Sequence, residues 1–420
     1  MTDQYPYGQL ALSRIKALQA ISDDPHCLTR LYLSAAYKKS VDLMKIMMRE
    51  AGCDHVWVDG LGTVTGRYNG LSSDAQSLLI GSHIDTVVDA GAYDGTLGVI
   101  AGLGLIENLK NNNKRFPFAI EILAFGDEEN VRFPSNLSSS RALAGTFDPA
   151  TLETTDSDGI HFHDALEACG FDTTKIPLIK RNPDEVIGYL ELHIEQGPVL
   201  QHENLAVGIV TSINGASRRG VKLIGNAGHA GTVPMKMRQD ALAGAAEIAL
   251  MVEKIAARDP FTVATIGKLI VRPNATNVIP GSIDFTLDMR GPDDIIRLDM
   301  VRSIEDACRK IAEQRQLKVK IDAYYDAQAC SCDRFLQYSF EQGMTQMGLK
   351  PFYLPSGAGH DAMAMSALCP VAMLFVRCKD GISHNPEEFC SVEDMDMAIS
   401  VLSKTVETIA RQINTHKLQS

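Results

Sequence analysis

Between Ser77 and Leu200 short apolar runs alternate with stretches of helical period, the pattern of a sheet wrapped by helices. Leu78-Leu79-Ile80-Gly81 predicts a buried strand, and Thr96 to Leu109 the helix that follows it. Phe118 to Phe125, Gly188 to Ile194 and Ala206 to Ile213 predict three more strands. Beyond Asn214-Gly215 the order changes to strand (Arg219 to Gly225), helix (Arg238 to Ala257), strand (Thr262 to Val271), strand (Ser282 to Arg290), helix (Asp293 to Gln314) and strand (Leu317 to Asp322). In the first of these helices Ala241, Leu242, Ala245, Ile248, Ala249, Val252 and Ile255 recur at three- and four-residue spacing, which predicts one buried stripe. The order β-α-β-β-α-β is that of a split βαβ sandwich. The expected fold is therefore an α/β core, residues 1–213 and 329–420, interrupted by a ferredoxin-like (βαββαβ) lid at 214–328. Helices at Arg334 to Gly348 and Ser391 to Ile413, around a strand at Val371 to Val376, return the chain to the core pattern.

A chain of 420 residues exceeds what one hydrophobic core usually serves, which agrees with two domains. Lys and Arg number 40 against 52 Asp and Glu, a net charge of -12, with no dense basic run. That balance argues against a nucleic-acid partner or an anionic membrane and for a small-molecule substrate. Met1 to Pro6 has neither a basic nor an apolar signal region, and Leu97 to Ile106 is too short and too glycine-rich to span a bilayer, so a cytoplasmic protein is expected. Nine scattered cysteines suggest neither a disulfide framework nor a zinc ribbon, and Cys330 and Cys332 are expected to be reduced thiols near a domain junction.

Candidate chemistry gathers where predicted strands end. His83 and Asp85 follow the first strand at i and i+2, and a carboxylate so placed could orient a metal-binding imidazole. Asp94 opens the next helix between glycines, a position that suits a helix N-cap as well as a cation ligand. Asp127, Glu128 and Glu129 end another strand at the sheet edge where open α/β folds bind ligands. Such a run is either a solvated acidic loop or a cluster whose repulsion a cation relieves. His193, between Glu191 and Glu195, ends a further strand, and His384 follows the last one; alone, either would more often be structural. Together the mixture of imidazole and carboxylate suits zinc or manganese better than magnesium or calcium. Adjacent carboxylates also allow one to bind a metal while its neighbour accepts a proton from water.

These blocks resemble the aminoacylase/carboxypeptidase-type dinuclear metallohydrolases, in the branch of allantoate amidohydrolases, N-carbamoyl-L-amino-acid hydrolases and ureidoglycolate hydrolases. The resemblance rests on Gly81 to Thr86, Gly91 to Gly95, Asp127 to Glu129 and Glu191 to Pro198 in the core. Gly228 to Met235, Asn274 to Gly281 and Asp288 to Arg290 carry it through the inserted segment, and Ser356 to Met363 and Ile382 to His384 through the C-terminal part. It implies two divalent metal ions per subunit, manganese or zinc, held by His83, Asp94, Glu129, His193 and His384, with Asp94 bridging. It further implies Glu128 as general base, Asp85 as the partner of His83, and His229 as the group that polarises the scissile carbonyl. Asn277 and Arg290 would bind substrate, Arg290 gripping a carboxylate bidentately, and the inserted domain would form a homodimer. The implied reaction is hydrolysis of a ureido acid, allantoate first and N-carbamoyl-L-amino acids second; an aminoacylase, a peptidase and a non-catalytic ureide binder are the other readings. Ser217 stands where relatives often carry Gln; if that Gln touches substrate, a Ser here would widen or rewire one edge of the site.

Overall fold

The computed structural model describes residues 7–417; the stretch Met1 to Pro6, read above for a signal, lies outside them. The strands, in chain order, are β1 (His55–Val58), β2 (Val64–Tyr68), β3 (Ser77–His83), β4 (Ala119–Phe125), β5 (Val186–Ile194), β6 (Val207–Ile213), β7 (Gly215–Ile224), β8 (Gly228–His229), β9 (Val263–Arg272), β10 (Val278–Ile279), β11 (Ser282–Gly291), β12 (Lys318–Ala327), β13 (Cys330–Ser331), β14 (Tyr353–Ser356) and β15 (Val371–Val376). The chain divides into two compact units, one of residues 1–211, 332–354 and 359–420, the other of 212–331 with 355–358.

The first unit is built on a mixed sheet in the order β1-β2-β4-β3-β5-β15-β6. Its centre, β4-β3-β5-β15, is parallel, and the flanking pairs are antiparallel. β3, β4 and β15 are buried along their whole length, which is why their sequences read as mostly apolar runs rather than alternating ones, with buried Glu121 of β4 paired to Arg67 and Arg181. The helix Thr96–Asn111 is apolar on every side for the same reason and buries Leu97, Val99, Ile100, Leu103, Leu105 and Ile106. Two helices that the apolar pattern did not single out precede the sheet, Tyr7–Gln19 and Ala35–Ala51. The second begins at Ser34, whose side chain accepts from the Tyr37 N–H, and ends on left-handed Gly52.

The second unit holds a four-stranded antiparallel sheet in the order β12-β7-β11-β9, with helices Ala241–Ala256 and Asp294–Gln314. Strict alternation along β11 sends Ile283, Phe285, Leu287 and Met289 into a core shared with Ile248, Val252, Ile304 and Ile311. The buried stripe of the first helix differs from expectation at Leu242, which is 39% exposed. At 3.6 residues per turn the position after Ala241 rotates off the core, and Gly244, lying against Leu317, completes the stripe. None of the nine cysteines, Cys330 and Cys332 included, is joined in a disulfide in the described residues. No helix among the described residues is long and apolar enough to cross a membrane.

Candidate metal centre

The core residues singled out for chemistry sit at or just past the C-terminal ends of parallel strands, where an open α/β sheet leaves a crevice. His83 is the last residue of β3, Asp127 to Glu129 follow β4, His193 lies at the end of β5, and His384 follows β15. Asp94 reaches them from the loop before the helix Thr96–Asn111. The N-cap alternative for Asp94 does not hold: the cap residue is Gly95 and makes no side-chain bond, while the Asp94 carboxylate turns to the histidines. Gly95 has φ +60, and a Cβ there would lie 2.4 Å from the His83 ring, so this loop comes so close to the imidazole only because residue 95 is glycine.

Asp94 is the hub. Its Oδ1 lies 3.1 Å from His193 Nε2 and 3.6 Å from His83 Nε2, and its Oδ2 lies 3.2 Å from His384 Nε2. Glu129 Oε2 is 3.5 Å from His384 Nε2, and Glu128 Oε2 is 3.9 Å from His83 Nε2. Three groups bring their ligand atoms within 4.8 Å of one another: His83, Asp94 and His193; His83, Glu128 and Glu129; and Asp94, Glu129 and His384. Two of them share Asp94, so the donor set could hold two neighbouring ions. Its imidazole nitrogens and carboxylate oxygens match zinc- or manganese-type coordination.

Backbone carbonyls fix the tautomers that metal binding needs. His83 Nδ1 lies 3.0 Å from the Asp85 carbonyl and His193 Nδ1 lies 2.9 Å from the Ile194 carbonyl. With Nδ1 so engaged, Nε2 is the atom each ring turns to Asp94, where it donates to the carboxylate and from which a cation would displace the proton. The expectation that the Asp85 carboxylate orients His83 is thereby corrected. Its Oδ1 is 3.7 Å from Nδ1, and the carboxylate instead accepts from the main-chain N–H groups of Glu128 at 3.4 Å and Glu129 at 3.3 Å. The reason is local: a residue at i+2 curls its own carbonyl back to the ring, freeing its side chain to hold the acidic loop.

The acidic run divides by direction. Asp127, at φ +67, turns away and accepts from Ser135 Oγ at 2.7 Å and from Ser138 Oγ. Glu128 and Glu129 face the cluster. Burial pushes the Glu128 carboxyl well above its usual range, aided by Glu129, and raises Glu129 and Asp127 to about 7. Burial works against ionised Asp94 as well, yet hydrogen bonds from His193, His384 and His83 hold it well below the carboxylate range. His384 is raised to about 9, chiefly by its bond to Asp94. A solvated acidic loop would show none of this. The other two glutamates of the β5 block are structural: buried Glu191 accepts from Ser82 Oγ and the Ala362 N–H, and Glu195 accepts from the N–H groups of Val199 and Leu200.

Within the second unit the short β8–β10 pairing sets His229 opposite Val278, and the Ala230 N–H donates to the Asn277 carbonyl, so His229 and Asn277 are neighbours. His229 Nδ1 accepts from the Gly231 N–H at 3.1 Å, which puts the neutral ring's proton on Nε2. The Nε–Nη2 edge of Arg290 is already taken by Asp288, and Nη1 donates to the Gly357 carbonyl at 2.8 Å. The expected fork for a bidentate grip is thus engaged within the unit. Ser217 is fully buried; its Oγ donates to Asp326 Oδ1 at 2.5 Å and accepts from Arg297. The expected effect of Ser217 on a substrate edge is corrected, because alternation along β7 turns residue 217 inward, opposite to its neighbours Ala216 and Arg218.

Three residues near Asp94 escaped the sequence reading. Gln196 Nε2 donates to Asp94 Oδ2 at 2.9 Å, Ser383 Oγ lies 3.1 Å from the same oxygen, and Glu388 accepts from the Asp94 N–H at 3.1 Å. Gln196 and Ser383 lie inside the Glu191-to-Pro198 and Ile382-to-His384 blocks but were given no role there; Glu388 carried no such signal.

Peptidase family M20/M25/M40 matches the chain over residues 79–408. An N-carbamoyl-L-amino acid amidohydrolase of Geobacillus stearothermophilus is 37% identical over 405 residues, 96% of this chain and 99% of that protein. An allantoate deiminase of Arabidopsis thaliana is 39% identical over 421 residues, 92% of this chain and 80% of that protein. The crystal structure of an amidase of the hydantoinase/carbamoylase family from Burkholderia multivorans aligns with a TM-score of 0.90 at 32% identity, covering 95% of this chain and 96% of that one. With its histidines and carboxylates gathered at the ends of the parallel strands, the chain belongs to peptidase family M20/M25/M40 and is a metal-dependent amidohydrolase.

Proposed function

We propose that the protein hydrolyses a non-peptide C–N bond of a linear ureido acid, with allantoate the first substrate and N-carbamoyl-L-amino acids the alternative. Ureidoglycolate and ureidopropionate are further members of that alternative. The observation that carries this reading is the joining of His83, Asp94, His193, Glu128, Glu129 and His384 into one cluster. Relatives bearing those two activities in their names, matched over nearly the whole chain, support the substrate class.

In this reading two divalent ions, manganese or zinc, are held by His83, Asp94, His193, Glu129 and His384, with Asp94 between them. Bound ions would supply Lewis-acid polarisation of the ureido carbonyl and make a water nucleophilic at neutral pH. Glu128, on the same loop as Glu129 and not needed as a ligand, takes the proton of the attacking water and passes it to departing ammonia. The carbamate left behind loses carbon dioxide, so allantoate would give ureidoglycine, ammonia and carbon dioxide. Asp85 acts through the Glu128-Glu129 loop that its carboxylate holds. His229 would donate its Nε2 proton to the developing oxyanion. Asn277 would bind the ureido group, and Arg290 the carboxylate through whichever donors Asp288 and Gly357 leave.

The inserted segment is read as a ferredoxin-like lid that also forms a homodimer; its element order and its β12-β7-β11-β9 sheet support the fold half of that reading. A cytoplasmic setting is part of the same reading. The test is ammonia release from allantoate and from an N-carbamoyl-L-amino acid by protein stripped and reloaded with manganese or zinc. A preference for allantoate supports the first reading, a preference for the carbamoyl amino acid the alternative. Silence on both, with turnover of an acyl amino acid, would replace them with an aminoacylase.

A further inference from the structure

The residue that ties the two halves of the cluster together is Glu388. Its Oε1 accepts from the N–H groups of Tyr93 at 2.7 Å and Asp94 at 3.1 Å, and its Oε2 accepts from Ser383 Oγ at 2.8 Å, next to His384. It is 5% exposed. The chain presses so close that a Cβ at Gly91 would stand 2.3 Å from the Glu388 carboxyl carbon.

The proton inventory gives these contacts a direction. The Ser383 hydroxyl has one proton and two oxygen neighbours, Glu388 Oε2 at 2.8 Å and Asp94 Oδ2 at 3.1 Å. Gln196 Nε2 can donate to Ser383 Oγ at 3.1 Å and to Asp94 Oδ2 at 2.9 Å, one proton to each. As long as Glu388 takes the serine proton, Asp94 Oδ2 has only Gln196 Nε2 and His384 Nε2 as side-chain partners, and the lone pair facing His384 is the one an ion at that group would take. Without Glu388 the serine proton turns to Asp94 Oδ2 and occupies that lone pair.

We propose that Glu388 is a positioning residue that, by drawing the Ser383 proton and holding the Asp94 main chain, keeps Asp94 Oδ2 free to bind an ion at the Asp94, Glu129 and His384 group. The proposal rests on the two-ion reading above. His83 and His193 are fixed by backbone carbonyls that Glu388 does not touch, so the ion at their group is affected less.

The test is equilibrium binding of manganese to the stripped full-length protein, by calorimetry or chelator competition. Wild type takes two ions; Glu388→Ala weakens one of them by about 10–100-fold, the range for loss of a partner behind a ligand, and leaves the other near its original affinity. Adding Ser383→Ala to Glu388→Ala restores most of the loss, because the competing proton is gone. Should the alanine variant fold poorly, Glu388→Gln serves: its amide oxygen still accepts from Tyr93 and Asp94, but its NH2 cannot accept from Ser383, so it also weakens one ion. Two unchanged affinities, an equal fall in both, or no restoration in the double variant would overturn the role of Glu388. A wild type that never takes two ions would instead overturn the two-ion reading.

Discussion

His193 and His384 both present Nε2 to Asp94, at 3.1 and 3.2 Å, yet they are held in opposite ways. The His193 side chain is 2% exposed, lies within a buried parallel strand, has its Nδ1 fixed by the Ile194 carbonyl, and rests edge-on against His360 at 4.5 Å between ring centroids. The His384 side chain is 51% exposed and sits at φ +54 on a loop tied down through Ser383 and Glu388. One half of the site is therefore part of the core, and the other is a loop that polar contacts bring into place. On the two-ion reading a pre-formed half would retain its ion while the looser half would accommodate exchange, and the looser half is where single changes should be felt selectively.

The largest expected effect leaves that contrast intact. Glu128→Gln should lower kcat by at least about 100-fold, the lower end for loss of a general base, while metal content measured by emission spectroscopy stays at the wild-type value. Loss of metal along with activity would make Glu128 a ligand rather than a base.

Next come the paired substitutions that break the contrast directly. His193→Ala should reduce binding of both ions and lower the thermal midpoint of the stripped protein, because it opens a cavity beside buried His360 and Phe375. His384→Ala should remove one ion and lower the stripped midpoint by less, since the half-exposed ring leaves no core cavity and only its bond to Asp94 is lost. Equal midpoints for the two variants would contradict the division into core and loop halves.

Titration of the stripped protein sharpens it further. Glu129 is raised from 4.5 to about 7 and His384 from 6.5 to about 9. A group whose folded pKa lies above its unfolded one stabilises the fold fully below the unfolded value, and that contribution is lost as pH rises through the folded value. Both groups therefore act in the same direction: stripped protein should lose stability from about pH 4.5 to about pH 9. Bound cations relieve the carboxylate repulsion, so the gap in thermal midpoint between loaded and stripped protein should widen from pH 5 to pH 8. A constant gap would contradict the burial argument.

The smallest effect is expected in the second unit. Arg290→Lys should raise KM for a carboxylate substrate about tenfold with little change in kcat, since one ammonium cannot keep both Asp288 and Gly357 and still spare donors for the substrate. An equal fall in kcat would mean that Arg290 acts in the transition state.

Much of this was legible in the sequence because the centre of the core is parallel. Fully buried strands give mostly apolar runs, and their ends marked His83, Asp127 to Glu129, His193 and His384 before any geometry was known. The antiparallel β1–β2 pair and the helices Tyr7–Gln19 and Ala35–Ala51 were not legible, since polar residues interrupt the apolar positions of each. The Asp85 carboxylate was assigned the wrong partner because spacing does not say whether a side chain or its own carbonyl reaches the ring. Ser217 was misread because its facing depends on strand register, which one residue reverses. Glu388 lay beyond reach altogether: it is 294 residues from Asp94, and only the folded chain joins them.

The most direct test of the account is to titrate manganese into stripped protein while following ammonia release from allantoate and from an N-carbamoyl-L-amino acid. The account predicts no turnover without metal and full activity reached only as the second ion per subunit binds. Full activity in the stripped protein, or at one ion per subunit, would contradict it.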